Sequence, residues 1–216
     1  MDLGSLSSKI SFITILSLSN CNLNIPKAMK LIFQSNFFKL SELDLSSNQC
    51  DSQFNLKEDF PPQLSKLVAN DINWKNSKNF ISFLTFIFSK MNNILKLNVS
   101  SSEFDDLDEW KNVFNKLSQL DFDLSSIQSI GWDKNPIHES FFNFIEDCTN
   151  LKTLSISSFT VLKGKGQIET LCNYLKNNKS RKIKTLIFSC DDSIRTKFEN
   201  KISEIFNSLK KWKSLT

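Results

Sequence analysis

The chain has 216 residues, of which 40% are apolar and 12% aromatic, with a net charge of +4. That length fits one domain, or two at most, and the apolar share supports a sizeable core; 20 Phe against 4 Gly exclude collagen-like, low-complexity and disordered chains. The single histidine, His138, excludes every site that needs two imidazoles.

At the amino end, Met1–Leu16 carries an apolar stretch, Ile10–Leu16, without the basic region or small-residue cleavage site of a secretory signal. The template L-x-x-L-x-L-x-x-N/C-x-L starts in this stretch. Ile13, Leu16, Leu18, Cys21 and Leu23 fill every position. Leu40, Leu43, Leu45, Asn48 and Cys50 alter only the last. Weaker copies follow at Leu64-Leu67-Ala69-Ile72-Trp74, at Ile94-Leu97-Val99-Ser102-Phe104, and at Ile127-Ile130-Trp132-Asn135-Ile137. Two more run Leu151-Leu154-Ile156-Phe159-Val161 and Ile183-Leu186-Phe188, the last losing the pattern after Asp191. The central apolar residues, at 16, 43, 67, 97, 130, 154 and 186, are 24 to 33 residues apart.

Each L-x-L predicts a short strand with its template residues turned inward, stacked in parallel on the next. The N/C position turns the chain, and Asn48, Asn135 and Cys21 suit it. Ile72, Ser102, Phe159 and Asp191 do not, so those turns need other supports. Longer crossings should be helical. Pro26 suits the first helical position before Lys27–Phe38. Lys78–Met91, Asp106–Leu120, His138–Cys148 and Gly166–Asn178 carry apolar residues at helical spacing. Asp51–Gln63 contains Pro61-Pro62 and predicts an irregular crossing.

Ile194, Phe198, Ile202, Ile205, Leu209 and Trp212 form one amphipathic stripe. It reads either as a cap over the last repeat or as an oligomerising helix. The expected fold is therefore α/β: a leucine-rich-repeat solenoid, or horseshoe, with a parallel concave sheet and outer helices. About seven repeats fill residues 1–192, and a capping helix fills 193–216. No comparable cap precedes Ile13, which leads to the expectation of an exposed apolar first repeat in the carboxyl part of a longer solenoid.

Little here suggests catalysis. His138 follows the turn Asn135-Pro136-Ile137 and reads as a surface residue, so no enzyme and no cofactor are expected. No Cys/His spacing fits zinc, and Gly164-Lys165-Gly166 is too short for a phosphate loop. Glu103, Asp105, Asp106, Asp108 and Glu109 crowd a helix start, where the helix dipole explains them better than a metal. The five cysteines are odd in number and widely spaced, and read as reduced core thiols. With no apolar run of membrane-spanning length, the expected location is the cytoplasm, with the plasma membrane or cortex as a further possibility.

Charge is uneven. Residues 151–216 hold 14 Lys+Arg and 5 Asp+Glu, a net of +9, which leaves −5 for residues 1–150. Lys163, Lys165, Lys179, Arg181, Lys182 and Lys184 form a candidate interaction surface for an acidic protein or an anionic membrane, against the plainer reading of a solvated face. Nucleic acid is not expected, because no aromatic platform interleaves with these lysines. The strand residues alternating with the core form a second candidate surface, the concave face, whose chemistry-bearing members are Glu42, Asp44, Lys66, Lys96, Asn98 and Asp133. It is short-chained and polar, without the aromatic and Arg anchors of tight interfaces.

Two stretches go beyond the generic template. Ile127-Gln128-Ser129-Ile130-Gly131-Trp132-Asp133-Lys134-Asn135, with Phe141–Asp147 and Asn150-Leu151-Lys152 after it, resembles a late repeat of the CARMIL family (capping protein, Arp and myosin I linkers). Gln167-Ile168-Glu169 and Asn173-Tyr174-Leu175-Lys176-Asn177-Asn178 are similar to the helix after that repeat, and Ser41-Glu42-Leu43-Asp44-Leu45-Ser46 to an earlier one. The resemblance implies a ribonuclease-inhibitor-like horseshoe and a scaffold role in actin organisation, with actin-regulatory proteins as partners. In that family a pleckstrin-like domain precedes the repeats, and a helical dimerisation region and a capping-protein-binding tail follow them. Neither the domain nor the tail is readable here, so direct inhibition of capping protein is not implied. Trp132, Asp133 and Asn135 match structural repeat positions. A generic leucine-rich-repeat recognition or regulatory module with an unrelated partner stands as the alternative.

Overall fold

In the computed structural model the described residues are 10–35, 37–55, 61–90, 93–102, 104, 107–117, 119, 122–157, 171, 173–175, 183–188, 203 and 207. They form an α/β architecture around one open sheet of seven parallel strands in chain order. The strands are β1 (Ile15–Ser17), β2 (Glu42–Asp44), β3 (Lys66–Val68), β4 (Lys96–Asn98), β5 (Ser129–Gly131), β6 (Thr153–Ser155) and β7 (Thr185–Ile187). Each is centred on the residue expected from the spacing. Leu16, Leu43, Leu67, Leu97, Ile130, Leu154 and Leu186 stand in one register row. Five of them, from Leu43 to Leu154, are buried.

Three-residue strands are too short to hold a sheet by their own ladder, and the flanking backbone extends it. At the strand starts one carbonyl accepts two N–H groups of the next strand. Thr14 O takes Ser41 and Glu42, Ser41 O takes Ser65 and Lys66, and Ser65 O takes Leu95 and Lys96. The same pairing recurs through Leu95, Gln128 and Lys152 to Thr185. Beyond the strand ends, Asn20 N–H donates to Ser46 O, Ser47 to Asn70 O, Asp71 to Ser100 O, Ser101 to Asp133 O and Lys134 to Ser157 O.

Helices α1 (Ile25–Gln34), α2 (Ser77–Lys90), α3 (Leu107–Leu117) and α4 (Glu139–Asp147) fill the longer crossings. Pro26 stands in the first turn of α1, where a missing N–H costs nothing. Asn24 Oδ1 caps that helix through Lys27 N–H at 3.3 Å. The helix ends at Gln34 rather than Phe38, because Ser35 N–H turns back to Ile32 O and its hydroxyl to Leu31 O. Helices α2 and α3 match their expected spans within a few residues, and α4 lies just inside its own. The Leu171 and Asn173–Leu175 part of the next expected helix is helical. The Pro-containing crossing has no helix or strand at Asp51–Asn55 or Pro61–Gln63. Phe54 pins it to α2, with its N–H on Ser82 Oγ at 2.8 Å and its ring against Phe83 and Phe86. The apolar stripe of the last expected helix lies outside the described residues; Ser203 and Asn207 are helical and exposed.

The core lies between sheet and helices. Its largest fully buried side chains include Trp74, Trp132, Phe80, Phe83, Phe114 and Phe141. Phe80 is the hub of an aromatic cluster, with ring centroids 5.0 Å from Trp74, 5.8 Å from Phe104, and 6.1 Å from both Trp110 and Trp132. Beside β1, Phe12, Ile15 and Phe38 are exposed.

One expectation is corrected here. Cys50 and Cys148 are buried thiols, but Cys21 is exposed, with its Sγ turned to Ser19 O at 3.4 Å. Its template position is a turn, and the turn is held from the next strand unit by Asn48. Cys172 and Cys190 lie outside the described residues.

Candidate interaction surface

Parallel register converts each sequence position into a row across the sheet. The first outward row reads Ile15, Glu42, Lys66, Lys96, Ser129, Thr153 and Thr185. The second reads Ser17, Asp44, Val68, Asn98, Gly131, Ser155 and Ile187. Of the six residues expected on a concave face, Glu42, Asp44, Lys66, Lys96 and Asn98 stand in these rows, and Asp133 lies two residues past the end of β5. Lys66 Nζ and Glu42 Oε2 form an ion pair at 2.8 Å, about 40% exposed on each side and so worth little in stability. Lys96, next in the row, is exposed.

Asp44, Asn98 and Asp133 serve the turns as much as the surface. Asp44 Oδ1 accepts from Ser46 N–H at 2.9 Å. Ser46 Oγ accepts from Asn70 N–H at 3.2 Å, and Asn70 Oδ1 from Ser100 N–H at 3.0 Å. Asn98 Oδ1 accepts the Ser100 hydroxyl at 2.6 Å, and Ser100 Oγ accepts Asp133 N–H at 2.8 Å. Asp133 Oδ1 then takes Ser155 Oγ and Ser157 N–H, both at 2.6 Å. A polar chain thus runs from β2 to β6 past the strand ends. A Cβ on Gly131 would stand 2.3 Å from Asn98 Oδ1, so glycine makes room for this chain.

Behind that row the buried amides hold the backbone. Asn48 Oδ1 accepts Cys21 N–H at 3.2 Å and Leu23 N–H at 2.9 Å, while its Nδ2 donates to Leu18 O and Leu45 O at 2.8 Å. Asn135 repeats the device on Ser102 N–H at 2.6 Å and Val99 O at 2.8 Å. Where the template lacks Asn, other groups serve. Asn79, from α2, donates to Cys50 O and Trp74 O. Ser102 Oγ donates to Val99 O and accepts Trp74 Nε1–H at 3.1 Å. Sequence reasoning missed Asn79, whose signal is a buried polar residue on an apolar helix face.

Of the carboxyl-terminal basic cluster, Lys184 is described and exposed at the start of β7. Lys163, Lys165, Lys179, Arg181 and Lys182 lie outside the described residues. His138 is exposed, as the sequence predicts, and it also caps a helix. Its Nδ1 accepts Ser140 N–H at 3.2 Å at the start of α4, and its ring stacks on Phe114 at 5.1 Å. Glu109 is reassigned. Its carboxylate accepts Ser77 N–H at 2.6 Å, serving the start of α2 rather than its own helix. The Ser77 hydrogen bonds hold its carboxyl below the ordinary value.

Burial pushes the Cys50 and Cys148 thiols up to about 12, which keeps them protonated and unreactive. Cys148 lines a cavity of about 90 Å³ with Ile145, Leu151, Tyr174 and Ile183. Among the described residues no group of three His, Cys, Asp or Glu could hold a metal ion. No helix among them is long and apolar enough to cross a membrane. No family model matches the chain, and a comparison with curated proteins returns no significant match.

Proposed function

We propose that the chain is a non-enzymatic leucine-rich-repeat scaffold, a horseshoe closed by a capping helix over 193–216, that organises actin filaments in the manner of CARMIL proteins. The observation that carries the scaffold reading is the sheet: seven parallel strands in chain order, each contributing its central residue to one row. Such a chain stacks units that cannot bury their faces alone and leaves a long polar surface rather than a deep cleft. The actin assignment rests on the resemblance over 127–135 and 167–178. The proposed partners are actin-regulatory proteins, with the anionic face of the plasma membrane meeting the basic cluster Lys163–Lys184. The proposed place is the cytoplasm at the cell cortex, including the lamellipodium.

A second reading, a recognition or regulatory module with an unrelated protein partner, is favoured by one observation. Trp132 Nε1–H donates to Pro136 O at 2.7 Å and Asn135 is wholly engaged in its turn. The residues that carry the resemblance thus serve the fold.

The test is capture from lysate with the tagged chain, blotted for actin-capping components. Enrichment supports the first reading; another specific partner without them assigns the second. A hydrolytic activity lost on His138→Ala, with the fold intact, would overturn both. Sedimentation with anionic vesicles, compared with neutral ones, tests the membrane contact.

A further inference from the structure

We propose that the rim formed by the strand starts binds an acidic, extended protein segment. The proposal rests on the scaffold reading and names the partner chemistry. Lys66 and Lys96 begin β3 and β4, while Lys152 and Lys184 stand immediately before β6 and β7. Because all strands run parallel, these four lysines share one end of the sheet. An antiparallel sheet would have split them between two ends. Between them β5 presents the neutral Gln128 and Ser129.

Carboxylates at this rim are scarce. Among the described residues at the strand-start positions Glu42 is the one acid, and Lys66 takes it. Lys152 Nζ is held by the amide oxygen of Gln128 at 2.9 Å. Lys96 and Lys184 are exposed and have no carboxylate partner among the described residues. The acids of the face collect at the opposite end. There Asp44, Asp71 and Asp133 are bound by Ser46 N–H, Ser47 Oγ–H and the Ser155–Ser157 pair. The parallel register therefore gathers four lysines at the strand-start rim and these three aspartates, beside Lys134, at the other.

Neighbouring strands lie about 4.8 Å apart, so β3 to β7 spans about 19 Å, the length of about six extended residues. An acidic segment laid across the strand starts meets lysines at both ends of that span. Complementary charge of this kind speeds encounter and fixes register.

The probe is fluorescein-labelled hexaglutamate, read by anisotropy with the full chain. Wild type should bind at about 0.1 M salt and weaken toward about 1 M, as the screening length falls from about 10 Å to about 3 Å. Lys96→Glu/Lys152→Glu should weaken binding by at least about tenfold, while Lys27→Glu/Lys30→Glu on α1 stays within about twofold. Circular dichroism checks that each variant is folded. The rim proposal is overturned if wild type does not bind, or if the α1 variant loses as much. It is equally overturned if binding survives the rim variant and is lost in Lys163→Glu/Lys165→Glu/Arg181→Glu/Lys182→Glu. A lysate partner retained by the rim variant would refute the rim and leave the scaffold reading standing.

Discussion

The turn after each of β1–β5 depends on a residue in the left-handed region, and none of these residues is glycine. Asn20, Ser47, Asp71, Ser101 and Lys134 have φ between 52° and 60°, and each stands four residues after a central strand residue. Asn and Asp tolerate this region through local hydrogen bonds; Lys has no such help. Lys134→Val should therefore cost about 1–2 kcal/mol, whereas Lys134→Gly should cost nothing, both read by urea denaturation. Asn135 carries the opposite kind of constraint. It is fully buried and satisfies Ser102 N–H and Val99 O, so Asn135→Ala leaves Ser102 N–H without its partner and Val99 O with the Ser102 hydroxyl alone. The expected loss is roughly 1–3 kcal/mol, and Asn135→Asp, which keeps the acceptor alone, should fall between.

Helix starts are held by local side-chain caps and, at α2, by a neighbouring helix as well. His138 caps α4 through an unprotonated Nδ1, so His138→Ala should cost about 1 kcal/mol and His138→Asn should restore it, by thermal melting. The start of α2 depends on Glu109 of α3, a contact across 32 residues. The folded Glu109 carboxyl lies below its ordinary value of 4.5, because the ionised form accepts the Ser77 bonds. Its stabilisation is therefore complete above 4.5 and is lost as the pH falls through the lower folded value. Glu109→Gln should flatten that acid limb of the stability profile, read by urea denaturation across the acid range.

At the scale of the molecule, the aromatic cluster should make the central units unfold together. Phe80 joins Trp74, Phe104, Trp110 and Trp132, which belong to three successive strand units. Removing its ring leaves a cavity that no single unit can collapse to fill. Phe80→Ala should cost about 3–5 kcal/mol. Tryptophan fluorescence and far-UV circular dichroism should lose structure at the same lowered denaturant midpoint, as one transition. Two separate transitions would show that the units on either side of Phe80 unfold independently.

Strand positions and helix existence could be read directly from the residues, because both arise from local periodicity. L-x-L places one side chain inward and two outward whatever follows, and a 3.6-residue apolar stripe needs no distant information. All seven strand centres and α1–α4 followed from that, as did the membership of the outward face. Tertiary structure alone decided which groups satisfy one another. Asn48, Asn79, Glu109 and Asn135 find partners 25 to 36 residues away, a separation that becomes contact only when parallel strands stack. The exposure of Cys21 and the row of left-handed turn residues follow from the same stacking, whereas the cap at His138 is a bond between residues two apart. The gathering of Lys66, Lys96, Lys152 and Lys184 at one rim follows from the stacking too. Charge order along the chain is no guide to it, because parallel pairing collects every strand start at one rim and every strand end at the other.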